Sequence, residues 1–293
     1  MQAYQINELE RLTGIKAHTI RIWEKRYNLI TPSRTDTNRR YYSDTQVRKL
    51  LNVTTLLSQG HKISKIATYS EKEINNYVAN NIVVQTDEDK CTAYINDLVK
   101  SMLIFDEPVF EEVFHNALKQ FGVYETVINV VYPLLHKTGI LWAVNKAAPV
   151  QEHFASSIIR RKLMAVTDSL PQVTEKKSRF LLFLPPNEWH EIGLLFANYI
   201  IRSNGYETVY LGQNVPLDNI NKITKALEPA YLLFFYVAPR PKAEIDKQIT
   251  ELAKSHKQTG ILVAGHADLL PEKRPALKNV KYLSDVNDLM SFF

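Results

Sequence analysis

Apolar residues change their spacing twice along the chain, and each change marks a region. In the first 60 residues they recur at helical intervals in short runs. "YQINELERLTG" places Ile6, Leu9 and Leu12 on one face and stops at Gly14, a suitable helix-ending residue. "IKAHTIRIWEKRYNL" follows after a very short connection, with Ile20, Trp23 and Tyr27 on one face and Arg21, Lys25 and Arg26 on the others. "TPSRTDTNRRYYS" reads as a small hairpin turning at Asp36-Thr37-Asn38. "SDTQVRKLLNVTTLLSQG" reads as a helix opened by a Ser43–Gln46 capping box and closed at Gly60. Leu50, Leu51, Val53, Leu56 and Leu57 form its apolar face.

From Asp87 to about Leu170 the period stays helical and divides into four segments, 87–105, 106–122, 123–142 and 147–170. Acidic starts and Pro108 in a first turn support the division. Short connections predict antiparallel neighbours in a four-helix bundle, with Phe105, Phe110, Phe114, Phe121 and Tyr124 in its core. After Arg179 the pattern becomes short apolar runs: "RFLLFL", "ETVYLG", "AYLLFFYV", "GILVAG" and "VKYLS". Helical stretches at 191–204, 217–227, 242–257 and 284–292 separate or follow them, with a further short helix expected within 268–277. That alternation predicts a doubly wound parallel α/β domain of flavodoxin-like type, whose ligand crevice lies beyond the C-terminal ends of the strands. The expected plan is multidomain: an all-α winged helix-turn-helix over 1–75, the four-helix bundle over 85–170 and the α/β domain over 178–293.

Charge sharpens this plan. Residues 1–70 hold 12 Lys and Arg against 5 Asp and Glu, a net of +7, whereas the remainder holds 24 against 26. A basic N-terminal quarter on a near-neutral body points to a polyanion partner, and two short helices on a tight turn point to duplex DNA. His18, Thr19 and Arg21, early in the second helix, are placed to meet base edges. Lys25, Arg26, Arg34, Arg39, Arg40 and Tyr41 complete the expected DNA-binding set, the hairpin arginines gripping phosphates. The single cysteine, Cys91, excludes an intramolecular disulfide and a cysteine-cluster metal site. With no charged-then-apolar leader and no long apolar run, the expectation is a cytoplasmic protein without a membrane partner.

The order helix-turn-helix, "RIWEKRY", "PSRTDTNRRYY", capped helix resembles the DNA-binding domain of the MerR family of transcriptional regulators. Trp23, where many relatives carry tyrosine, is similar to the subgroup with large sensor domains. Between the first α/β strand and its helix lies "NEWHEIG", in which Glu188, His190 and Gly193 resemble a cobalamin-binding signature of the methionine synthase type. Trp142 followed by Glu152-His153 resembles the helical cap of CarH- and LitR-type MerR repressors, which use adenosylcobalamin as a light sensor. The resemblance implies that His190 is the lower ligand of cobalt and that Glu188 orients its imidazole. It places Gly193 against the ligand's tail, and Trp142, Glu152 and His153 around the adenosyl group. It further implies a homo-oligomer, dimer or tetramer, on an operator in double-stranded DNA.

The chain departs from that signature in places. A Ser-x-Leu or Ser-x-Thr at the end of the third strand and a Gly-Gly after the fourth are replaced by "FYVAP" and "VAGHA". Tyr236 then brings a ring where a small hydroxyl leaves room for the nucleotide tail, and Ala264 precedes the remaining Gly265. Ala143 stands where photoreceptor members carry a histidine that reaches cobalt after illumination. Two other readings remain open: the same regulator with a degenerate or cobalamin-independent sensor, and a corrinoid carrier subunit of a methyltransferase. The second leaves the basic N-terminal module unexplained.

Overall fold

The computed structural model describes residues 3–34, 38–58, 60–80, 87–143, 148–172, 178–265, 269–270 and 277–293. It divides into two compact units, Met1–Ile158 and Ile159–Phe293. Among the described residues no helix is long and apolar enough to cross a membrane.

In the first unit, α1 (Ile6–Thr13) opens with a Gln5–Glu8 capping box and closes at Gly14, whose φ of 73° needs no side chain. The next helix, α2 (Ala17–Tyr27), has no side-chain cap of its own at Lys16. Glu10 supplies one from α1, accepting from the Ala17 backbone N–H at 2.9 Å and from Lys16 Nζ at 3.1 Å. Those bonds, the Ala17 one foremost, hold the Glu10 carboxyl below its usual range.

The hairpin pairs β2 (Ser33–Arg34) with β3 (Arg40–Ser43), Arg34 opposite Arg40. Of its turn, Asp36-Thr37 lies outside the described residues. A further strand, β1 (Ala3–Tyr4), joins the other edge of β3, so a three-stranded antiparallel sheet stands where the hairpin alone was expected. Two residues are too few to show an alternating pattern, so this strand is not legible from spacing. The capping box of α3 (Asp44–Ser58) forms as expected, with Ser43 N donating to Gln46 Oε1 at 2.8 Å and Gln46 N to Ser43 Oγ at 3.4 Å.

After α4 (Ile63–Ile66) and α5 (Glu71–Asn80) come the long helices α6 (Asp87–Leu103) and α7 (Glu107–Thr126). Gly122, at φ 75° and ψ 174°, breaks helical geometry where the second and third segments were expected to part. The third segment continues through a π-turn at Val127–Val131 into α8 (Tyr132–Ala143), and α9 (Pro149–Asp168) follows. Phe110 and Phe114 are buried, but Phe105 is 47% exposed and does not join the core as expected. It occupies the tight α6–α7 turn at φ 56°, where the backbone directs its ring outward onto Phe154. Two polar contacts join α3 to α6: Asn96 Nδ2 donates to Thr55 Oγ1 at 3.1 Å, and Lys100 bonds Asn52.

The second unit holds β4 (Arg179–Phe183), β5 (Glu207–Gly212), β6 (Tyr231–Tyr236), β7 (Gly260–Gly265) and β8 (Val280–Leu283). All pair in parallel, in the order β5-β4-β6-β7-β8. The chain therefore leaves β4 with neighbours on both sides, which is the switch point of such sheets. Connecting helices are α10 (Ile192–Ser203), α11 (Leu217–Leu227) and α12 (Lys242–Ser255), with α13 (Val286–Met290) last. The short helix expected within 268–277 falls mostly outside the described residues.

Period-two alternation divides the sheet's side chains between its faces. Leu181, Phe183, Leu232, Phe234, Tyr236, Ile261 and Val263 cluster with Ile220 of α11 and Ile245 and Ile249 of α12. Leu182, Leu233, Phe235, Leu262 and Ala264 therefore face α10. At the end of β7, Gly265 sits at φ 156° with no room for a side chain: a Cβ would lie 2.2 Å from the Tyr236 carbonyl oxygen. We expect Gly265→Ala to destabilise the α/β unit by about 2–4 kcal/mol. Urea unfolding of the variant beside the parent checks this, and equal midpoints would refute it.

Candidate DNA-binding surface and imidazole site

Ile20 and Trp23 bury one face of α2, and the other presents His18, Arg21, Lys25 and Arg26 to solvent together with Ile22. Thr19 is half-buried, its Oγ1 3.3 Å from His18 Nε2. In the hairpin, Arg34 donates to Asn38 Oδ1 at 2.5 Å, Arg39 is exposed and Tyr41 is half-buried. Arg40 is exposed, with its Nε 3.5 Å from Oε2 of Glu24, a side chain only 9% exposed. Glu24 also accepts the Tyr42 hydroxyl bond, and burial together with this carboxylate pushes the Tyr42 phenol well up. Sequence reasoning missed Glu24, whose one signal was a lone acid inside the basic "RIWEKRY". It ties the hairpin to the recognition helix, so both present their cations as one surface.

In the second unit, the loop from β4 to α10 carries Glu188 and His190 beyond the strand's C-terminal end. Glu188 is fully buried. Its Oε1 accepts from His190 Nδ1 at 2.6 Å and from the backbone N–H groups of Trp189 at 3.1 Å and His190 at 3.2 Å. Its Oε2 accepts from Val237 N and Ala238 N, both at 2.8 Å, and from Arg240 Nη2 at 3.3 Å. Burial alone raises this carboxyl. The bonds from the His190 ring and from the Val237, Ala238 and His190 backbones outweigh it and hold the group at about 2. The carboxylate therefore stays charged, and in the neutral form of the ring its bond to Nδ1 places the single proton there and the lone pair on Nε2. The His190 side chain is 57% exposed. A solvent-facing imidazole oriented by a buried carboxylate is a donor suited to a borderline transition metal.

The surrounding loop is pinned on both sides. Arg240, 7% exposed, donates to the carbonyls of Pro186 at 3.0 Å and Asn187 at 3.2 Å. Asn187 N donates to Asn214 Oδ1 at 2.9 Å, and Gln213 Nε2 donates to the Trp189 carbonyl at 2.8 Å. Beside His190, the buried Glu191 accepts from Arg160 Nε of α9 and from the Tyr210 hydroxyl, each at 2.8 Å. Burial, then Glu191, pushes the Tyr210 phenol far up. Arg240, Glu191 and Arg160 were not found from sequence, where each reads as an ordinary surface charge.

The other expected site residues lie as follows. Tyr236 is fully buried on the α12 face, its hydroxyl donating to Gln248 at 2.7 Å and its ring beneath the Arg240 guanidinium at 5.2 Å. Its ring thus supports the Arg240 clamp on Glu188. The ring beside Gly193 is that of Phe235, with two carbons 3.1 and 3.2 Å from where a Gly193 Cβ would stand. Gly265 serves the close approach to Tyr236. Glu152 and His153, in the first turns of α9, form a 3.3 Å pair and are exposed, His153 by 75%. Trp142 falls in the last turn of α8, and its side chain lies outside the described residues.

The described residues thus combine a helix-turn-helix whose second helix presents cations with a carboxylate-oriented histidine at a parallel-sheet switch point. Residues 4–73 match the MerR HTH family of regulatory proteins, and residues 83–167 match the B12 binding domain family. The chain is 27% identical to the HTH-type transcriptional repressor CarH of Myxococcus xanthus, over 87% of this chain and 85% of that protein. It is 24% identical to CarA of the same organism, over 89% and 86% of the two chains. The monomethylamine corrinoid protein of Methanosarcina barkeri shares the fold at a TM-score of 0.54 and 13% identity, covering 67% of this chain and 94% of that one. The chain thus joins a MerR-type helix-turn-helix region to a B12-binding region, and it is homologous over most of its length to the CarH and CarA transcriptional repressors.

Two outcomes follow from these sites. Because the Glu188 carboxyl is held below its ordinary 4.5, its contribution is complete above that pH and is lost as pH falls towards about 2. Glu188→Gln is expected to lose about 2–3 kcal/mol at neutral pH. The stability difference from the parent should shrink across that acid window, as read by urea titrations at stepped pH. On the DNA side, Arg39→Ala should weaken binding on all sequences and lower salt sensitivity by about one phosphate contact. Arg21→Ala should instead cost about 1–3 kcal/mol on one preferred base pair, as measured by binding to operator variants.

Proposed function

We propose that this protein is a repressor that couples operator binding to an adenosylcobalamin signal by assembling into a homo-oligomer. The observation that carries the reading is the Glu188–His190 pair: a buried, ionised carboxylate bonded at 2.6 Å to a half-exposed imidazole. His190 Nε2 is the atom that would ligate cobalt. Glu188 holds its tautomer and ring plane, and Arg240 holds Glu188. Bound there, the cofactor supplies an upper cobalt–carbon bond that light or exchange can break. Trp142, Glu152 and His153 are assigned by resemblance to the upper, adenosyl side.

On DNA, two copies of α2 would enter successive major-groove segments of a palindromic or repeated operator. His18, Thr19 and Arg21 would face bases, with Lys25, Arg26, Arg34, Arg39, Arg40 and Tyr41 near phosphates. A ligand can shift assembly only by its differential affinity for the two states, so cofactor binding and oligomer mass must be linked. Ala143 removes the histidine that photoreceptor relatives use after illumination, so any lit state is stabilised by other groups.

The test is light scattering of the full chain in the dark, with and without adenosylcobalamin, then after green light. Mass should rise by a whole-number factor with cofactor, operator affinity should tighten with it, and both should fall on illumination. Unchanged mass alongside demonstrable cofactor binding defeats the mechanism.

A further inference from the structure

We propose that Phe235 closes the space a displaced lower nucleotide would need, so that the site selects corrinoids with no bulky base on their lower face. This rests on the reading of His190 as the cobalt ligand. In free cobalamin the nucleotide base, tethered to the ring's edge, occupies the lower axial position. When an imidazole takes that position, the base must be housed on the same side of the ring or left in water.

The nearest housing is the slot between the sheet and the start of α10, which begins two residues after His190. Gly193, in the first turn, contributes no side chain to it. The slot is nevertheless filled: the Phe235 ring lies 3.1 Å from the position a Gly193 Cβ would take. Strand register sets Ala264 directly beside Phe235 on the same face, and Ala264 is 7% exposed. Ring and methyl thus close one space from adjacent strands. Phe235 cannot exchange places with Tyr236, because alternation sends Tyr236 to the α12 face and its bond to Gln248 holds it there. A corrinoid with a nucleotide must therefore displace a packed phenyl ring, whereas one without it makes no such demand.

Full-length protein is titrated in the dark with adenosylcobinamide, which lacks the nucleotide, and with adenosylcobalamin, each followed by its visible spectrum. The parent should bind adenosylcobinamide at least about tenfold more tightly. Phe235→Ala should tighten adenosylcobalamin by about tenfold and leave adenosylcobinamide within about threefold. Phe235→Leu, which keeps apolar volume if the alanine variant folds poorly, should give an intermediate ratio. His190→Ala should abolish the ligation-dependent spectral change with both. Equal or tighter binding of adenosylcobalamin by the parent, with a His190-dependent spectrum, overturns the selectivity but leaves the sensor reading standing. Binding of neither corrinoid by protein that still holds its operator removes the sensor reading, and this inference with it.

Discussion

The α/β unit is organised around one buried charge. A carboxylate taken out of water is costly unless every lone pair is met, and Glu188 meets that requirement from three directions. Its own loop supplies the Trp189 and His190 N–H groups, the end of β6 supplies Val237 and Ala238, and Arg240 closes the remaining side. The ends of two adjacent parallel strands are thereby locked to the turn that starts α10. The histidine ring gets its orientation from that lock, and Arg240 gets its seat from the Tyr236 face. Removing any one of these groups leaves the others buried and short of a partner.

Much of the fold was legible because it is written in spacing. The caps at Gly14 and Ser43, the break at Gly122 and the strand–helix alternation after Arg179 all follow from local rules that need no knowledge of contacts. His190 was legible because its neighbours in sequence, Glu188 and Gly193, are its neighbours in space. Features joining distant segments were not. Glu10 caps a helix it does not belong to, and Glu24 reaches Arg40 and Tyr42 across the hairpin. Glu191 meets Arg160 from 31 positions away.

The exchange between Phe235 and Tyr236 has its own lesson. A resemblance fixes a stretch of sequence to within a residue, but in a strand one residue decides the face. Strand parity sends the Tyr236 ring into the cluster with α11 and α12 and leaves the Phe235 ring beside Gly193. Phe105 shows the same limit at a turn, where a left-handed backbone overrides the side chain's preference for the core.

The paired acids near the recognition helix also alter what the N-terminal charge means. Lys16 is answered by Glu10 and Arg40 by Glu24, so two of the basic residues in that quarter already have anionic partners before any nucleic acid arrives. Ions condensed on a duplex are released only as fast as protein cations replace them. The region's twelve Lys and Arg therefore overstate the number of counterions its docking can set free, and the grip on unspecific duplex is correspondingly looser than a count of cations suggests.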